Sequence, residues 1–248
     1  LASHRPGDNT LVLVVDIGGG TSDFSVFRSD GGQLRILASH GIRLGGTDFD
    51  HAVSMTHAMP LLGLNGQLRR EMGAELLPVP RAPYVDLSTW AKIPFVYTPE
   101  TRRLAADMAR LAVDAQAMHR FRSVVDDELG HDLAFAVERG KIGANRSGVS
   151  GDIAMGIVEP GLAAQVTLDS LDAALSGYRD ALHQATVETL ALAGVAPAAI
   201  GEVILVGGSS LMRLVTQDLQ TLLPQAEIRT ADVFTAVVDG LARAAMLP

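Results

Sequence analysis

Gly18, Gly19 and Gly20, followed by Thr21, are residue types that chemistry on a phosphate would use. Three positions without side chains leave backbone N–H groups unobstructed, and in a tight turn such groups can converge on an anion. Asp16, just ahead of the loop, can hold a metal ion or its water shell, and Thr21 adds a hydroxyl. The same residues also suit a tight hairpin with a turn-starting Asp, since short glycine motifs often occur without function. Gly45–Gly46 precedes Thr47–Asp48–Phe49–Asp50, and Gly207–Gly208 precedes Ser209–Ser210. Paired glycines before a helix let the backbone approach a ligand closely, although at 45–46 an ordinary loop and cap reads the same way. Glu138 and Lys141 lie three apart and share a helix face. They read either as a surface ion pair or as a carboxylate and an ammonium reaching a polar ligand such as a ribose. No Ser/His/Asp or metal–His constellation competes, and no catalytic residue is assigned.

The elements that must position these residues follow from periodicity. Leu11–Ile17 is an apolar run of strand length, and Asp23–Phe27 alternates like a second strand. The glycine loop therefore joins two strands. A dinucleotide site or a P-loop would need a strand, a loop and a helix, and neither GxGxxG nor GxxxxGK[ST] is present. Asp30–Gly31–Gly32 signals a turn into a third strand, Leu34–His40. Thr47 or Asp48 is expected to cap a helix carrying Phe49, Val53 and Met55. Prolines 60, 78, 80, 83 and 94 predict short helices and loops, with Trp90, Phe95 and Tyr97 anchoring a small core.

Thr98–Pro99–Glu100 is a helix start. The stripe Leu104, Met108, Leu111, Ala115 and Met118 predicts one amphipathic helix. A second helical segment is expected to end at Gly130, and a third to carry Leu133 to Ile142. Pro160–Gly161 centres a type II turn between strands at 152–158 and 162–167. Leu168 opens a helix of about 25 residues, roughly 38 Å long, ending at Gly194. Val203–Val206 is a strand, followed by the third glycine pair and a helix with Leu211, Val215, Leu219 and Leu222. A short strand at Ile228 and a last helix over 233–246 close the chain.

The composition is that of a folded chain: 248 residues, 48% hydrophobic and only 19% charged. A net charge of −8 argues against nucleic acid or an anionic membrane surface as main partner. Any phosphate must then be held mostly by backbone N–H groups. The lack of cysteine excludes disulfides and thiolate chemistry and fits a reducing compartment. No apolar run approaches the ~20 residues of a membrane helix, and no signal peptide is visible. A cytoplasmic location is the expectation.

Taken together, the motifs resemble the DnaK-type heat-shock chaperones of the actin-like ATPase superfamily. Asp16-Ile-Gly-Gly-Gly-Thr-Ser-Asp23 resembles their second phosphate motif, and Leu44-Gly-Gly-Thr-Asp-Phe-Asp50 the segment that follows it. Val137-Glu-Arg-Gly-Lys141 resembles their adenosine helix, and Val203-Ile-Leu-Val-Gly-Gly-Ser-Ser210 their adenosine motif. Residues 86–99 look most like the YegD-type branch. The implied fold is α/β: an actin-like (ribonuclease H-like) lobe with a mixed sheet over 1–50 and 146–248, plus an inserted, mostly helical subdomain over 51–145.

The resemblance implies ATP or ADP with magnesium. Asp16, with Asp23 nearby, would bind the metal through water, and Gly18, Gly19, Gly20 and Thr21 the terminal phosphates. Gly45 and Gly46 would approach the nucleotide, and Glu138 and Lys141 would contact the ribose. Asn145 stands where a Ser contacts adenine, and Gly207, Gly208 and Ser209 would support the nucleotide. Ile142 and Leu211 replace two arginines that sandwich adenine in the chaperones, and residues 232–240 depart from the usual pattern. The family's first phosphate motif and phosphate-contacting Lys are absent, so the chain reads as the second lobe alone, not expected to hydrolyse ATP by itself. The missing N-terminal lobe, an exchange cochaperone and a client protein are the implied partners. The alternatives are half of an actin-fold small-molecule kinase, or an interaction domain with a degenerate nucleotide site.

Overall fold

Val and Ile dominate the first strand, and its side chains are mostly buried on both faces, as a central strand requires. A computed structural model describes residues 9–30, 33–146 and 150–230. Of these, 9–46 and 176–230 form one unit and 47–175 another. The boundaries between the two units fall at 46/47 and 175/176. The helix expected over 233–246 and the residues of 232–240 lie outside the described residues, as do Gly31 and Gly32.

In the first unit β1 (Leu11–Ile17), β2 (Ser22–Asp30) and β3 (Gln33–Ile42) form an antiparallel meander. The chain then enters the second unit through α1 (Gly46–Val53). The expected start at Thr47 or Asp48 moves toward the N-terminus, since the helix begins at Gly46. There the Gly46 N–H donates to Gly18 O at 2.9 Å. The helix widens to a π turn over Ser54–Ala58 and ends in α2 (Met59–Leu61).

The proline-rich stretch holds a small hairpin as well as short helices. β4 (Gln67–Arg69) pairs antiparallel with β5 (Leu76–Pro78), followed by α3 (Ala82–Leu87) and a 3-10 turn, Trp90–Phe95. The aromatic anchors are also different. Phe95 is 77% and Trp90 44% exposed, while Tyr84, Phe121 and Phe49 fill the core. Tyr84 packs on Phe121 with ring centroids 4.6 Å apart. Tyr97 is half-buried and serves by hydrogen bonding: its hydroxyl donates to Glu128 O and accepts from Gly130 N–H.

α4 (Pro99–Leu111) is capped by Thr98, whose hydroxyl accepts from Thr101 N–H. The apolar stripe does not make one helix. The chain breaks at 112–114, and Asp114 caps α5 (Ala115–Asp126) by accepting from Ala117 N–H at 3.0 Å. Gly130 opens α6 (Gly130–Asn145) instead of ending a helix. Glu128 takes the left-handed conformation there (φ 58°), and a side chain at 130 would collide with Ile93 and Leu87.

β6 (Gly151–Ala154) and β7 (Ala163–Val166) form the expected hairpin with shorter strands. Its Gly161 has φ 81°, as the second central residue of a type II turn needs. α7 runs Leu168–Ala193 and stops at Gly194 with φ 65°. β8 (Ile200–Val206) then lies parallel to β1, followed by α8 (Arg213–Leu222) and β9 (Glu227–Thr230), parallel to β8. Leu211 falls in a 3-10 turn, Gly208–Leu211, ahead of α8 and not in the helix.

The finished sheet has the order β3-β2-β1-β8-β9. Val15, Ile17 and Phe24 on it face Leu182 and Thr186 of α7 and Leu214, Val215 and Leu219 of α8. The Thr186 hydroxyl donates to Leu182 O, so this buried polar group costs little.

Candidate functional site

Three glycine segments meet at the carboxyl ends of β1 and β8. β1 and β2 stay in register to Ile17↔Ser22, so residues 18–21 form the whole loop, closed by Gly18 N–H donating to Thr21 O at 2.9 Å. Buried Ser22 ties down the second segment through its hydroxyl, which donates to Leu44 O at 2.7 Å. Gly45 then rests on the loop: a Cβ there would lie 2.6 Å from Gly19 C and Gly20 N. A Cβ on Gly46 would strike the Ser209 hydroxyl. Gly207 has φ 81°, and a Cβ on it would meet Ile17 O and approach Asp16 Oδ1 to 2.8 Å. At Gly45 and Gly207 the obstacle is backbone, so only glycine fits there; at Gly46 it is the Ser209 hydroxyl, which would have to turn away.

Gly19, Gly20 and Gly208 differ. No atom would lie within 4 Å of a Cβ at any of them, and Gly19, Gly20 and Thr21 are exposed. The junction is thus closed underneath and open above. The carboxyl ends of neighbouring parallel strands are where open α/β sheets take ligands. Ser210 is fully buried and serves the turn, its hydroxyl donating to Gly207 O at 2.7 Å.

Asp16 stands directly across from Asp23 in the β1–β2 register. Burial, and then the Asp23 charge, push the Asp16 carboxyl above its ordinary value. A cation there would relieve both. Among the described residues no three His, Cys, Asp or Glu side chains converge as a metal centre. Magnesium does not require one, since it commonly keeps several waters and takes one or two carboxylates together with phosphates.

In the second unit, α6 presents Glu138 to solvent, while Lys141 is only 5% exposed. The partner of Lys141 is Asp50 on α1, with Nζ 2.8 Å from Oδ1. Burial raises the Asp50 carboxyl above its ordinary value, while the Lys141 charge and hydrogen bond pull it down. Asp50 has no role in the sequence reading, because no spacing within α1 tells which residue of α6 it will meet. Lys141 retains donors for a second acceptor, since an ammonium carries three. Ile142 is 45% exposed on α6 and Leu211 42% exposed in its turn; Asn145 is half-buried. His51 and His57 have separate partners, Ser88 O and the Ser170 hydroxyl.

Residues 3–61 match the family model described as Hsp70 protein. The chain is 41% identical to a chaperone protein HscA homolog of Pseudoalteromonas atlantica over 68 residues, which are 27% of this chain and 11% of that protein. A homolog of the same description from Vibrio campbellii is 36% identical over 83 residues, covering 33% and 13%. One from Pseudomonas fluorescens is 49% identical over 55 residues, covering 22% and 8%. The chain thus matches about a tenth of the length of these relatives. The matched family segment carries β1 to β3, the glycine loop and α1.

Proposed function

We propose that this chain is the second lobe of an Hsp70-type ATPase domain and binds the phosphates of ATP or ADP, with magnesium, at the glycine junction. The observation that carries the reading is the division among the glycines. Gly45, Gly46 and Gly207 lock three chain segments together, while Gly19, Gly20 and Gly208 leave a side-chain-free surface above them. Such a surface admits a bulky anion to backbone N–H groups, as the acidic net charge of the chain demands. Asp16 and Asp23 fit a hydrated magnesium ion, whose charge would polarise a terminal phosphate when bound. Glu138 and Lys141 are the proposed ribose contacts, Lys141 using a donor that Asp50 leaves over. Ile142 and Leu211 offer apolar contact to adenine in place of guanidinium stacking, each lost cation–π contact weakening binding by roughly 0.5–2 kcal/mol.

A second reading, an interaction domain with a degenerate site, draws on the same two substitutions. Calorimetric titration of ATP and ADP with magnesium into the chain and into Gly208→Asp tests the first. Gly208 has open space around it, so the variant should fold and place a carboxylate where a phosphate or sugar would sit. Saturable binding that the variant loses supports a working site. Absence of binding to the unaltered chain overturns the claim that this lobe holds nucleotide by itself, whether through a degenerate site or through need of the other lobe. Steady-state ATPase from the chain alone would overturn the proposal that catalytic groups must converge from a second lobe.

A further inference from the structure

We propose that a cavity inside the second unit binds an organic ammonium: a protonated amine on a small aromatic or alkyl body. The cavity measures about 230 Å³ and lies among α1, the turn after α3, and α6. That is below the roughly 300–1,000 Å³ of sites for drug-sized molecules, so a ligand of one ring or a short chain is the right scale.

The walls define the chemistry. Leu87, Leu133 and Val137 line an apolar floor. Trp90 and Phe135 also line the cavity, each nearly half exposed and edge-to-face with centroids 5.2 Å apart. Aromatic rings shelter an apolar body, and a cation is attracted to any ring face it can reach. At the polar end stand the carboxyls of Asp50 and Glu138 and the hydroxyls of Ser54 and Ser88, which bond to each other at 3.0 Å. No Lys or Arg lines the cavity; Lys141, behind Asp50, is not among the lining residues. With Asp50 already paired to Lys141, the charge at this end comes from Glu138, which with two aromatic rings and no lining cation favours an ammonium over an anion. Glu138 is shared with the proposed nucleotide site, and Asp50 pairs with that site's Lys141; the chemistry of the cavity does not require nucleotide binding.

Trp90 is the sole tryptophan of the chain, so its fluorescence reads the cavity directly. The probe is phenethylamine, with the neutral 2-phenylethanol as its isostere. A saturable change in Trp90 emission is expected with the amine, with affinity at least about tenfold lower for the alcohol. Glu138→Gln should weaken the amine by about two- to fivefold and leave the alcohol unchanged. Phe135→Leu keeps the apolar wall and should weaken the amine selectively.

Equal affinity for amine and alcohol would overturn the proposal by assigning the cavity to any apolar body, and so would the absence of a saturable change. A chain that binds the amine but not ATP keeps this inference and loses the nucleotide reading. ATP binding without amine binding does the reverse.

Discussion

The glycine junction and the Asp50–Lys141 corner are both built by distant segments meeting, but from opposite materials. The junction is backbone on backbone: Gly45 on the Gly19–Gly20 peptide and Gly207 on Ile17 O. The corner is side chain on side chain, an ammonium 2.8 Å from a carboxylate. A backbone-built site tolerates no side chain where its segments touch and accepts one where they leave space. A side-chain-built site tolerates changes that remove both partners and fails when one partner is left. Each contrast can be broken by experiment.

The largest effect is expected at Gly45. Gly45→Val would drive Cβ into the Gly19–Gly20 peptide, which is backbone and cannot rotate away. We expect a loss of about 3 kcal/mol or more, at the upper end of overpacking, measured by urea denaturation. Gly19→Ala, facing open space, should stay within about 0.5 kcal/mol of the parent. Equal losses in the two variants would show that the locked and open classes of glycine do not exist.

Next comes the corner. Lys141→Met leaves Asp50 paired with nothing in a mostly buried position, its side chain 26% exposed. Losing one partner of a buried pair costs up to about 3–5 kcal/mol, and Asp50's partial exposure brings the expectation to about 2–3 kcal/mol. The double variant Asp50→Leu/Lys141→Met should recover most of that, since apolar replacement of a buried pair is often neutral. A double-mutant cycle with no coupling would mean that the pair contributes nothing.

The same contrast explains what could be read from the sequence. Glycine announces itself, so all three segments of the junction were visible, and the flanking Val and Ile runs placed two of them at strand ends. The direction of contact was not visible: nothing in Gly18–Gly19–Gly20 says that Gly18 binds Gly46 N–H while 19 and 20 face outward. The corner stayed hidden because α1 and α6 are some ninety residues apart and either carboxylate of Asp48–Phe49–Asp50 could have met Lys141. Aromatic residues misled for a related reason. Trp90 and Phe95 are large and apolar, but burial is set by which helix faces pack, and Tyr84 occupies the core instead. Local signals with a physical mechanism held best: the Thr98–Pro99 start of α4 and the Gly194 stop of α7 appear where read.

The break between α4 and α5 tests one such signal that periodicity concealed. Leu111, Ala115 and Met118 keep helical spacing across the gap, yet Asp114 accepts from Ala117 N–H and starts a new helix. Asp114→Ala should cost about 1 kcal/mol, the usual worth of an N-cap. Asp114→Asn, which can still accept the bond, should cost only a few tenths. If both cost the same, the charge and not the cap holds the helix start.

The smallest effect is expected at the facing carboxylates, and its sign separates a metal site from an ordinary hairpin. Asp16 titrates above its ordinary value because of burial and the Asp23 charge. The folded state therefore holds the Asp16 proton more tightly than the unfolded state. Stability from that proton is full below the unfolded value and is lost as pH rises through the folded one. Asp23→Asn removes the repulsive charge, so at neutral pH it should stabilise the chain by a few tenths of a kcal/mol, screened by solvent. The gain should vanish in acid, where Asp16 is protonated. Magnesium should reverse the order, since a cation that turns two repelling carboxylates into ligands stabilises the parent and not the variant. Thermal denaturation at both pH values, with and without magnesium, measures all of this. A parent chain that gains nothing from magnesium and stays less stable than Asp23→Asn would show that the two carboxylates face each other at a cost that magnesium does not relieve, as in an ordinary hairpin.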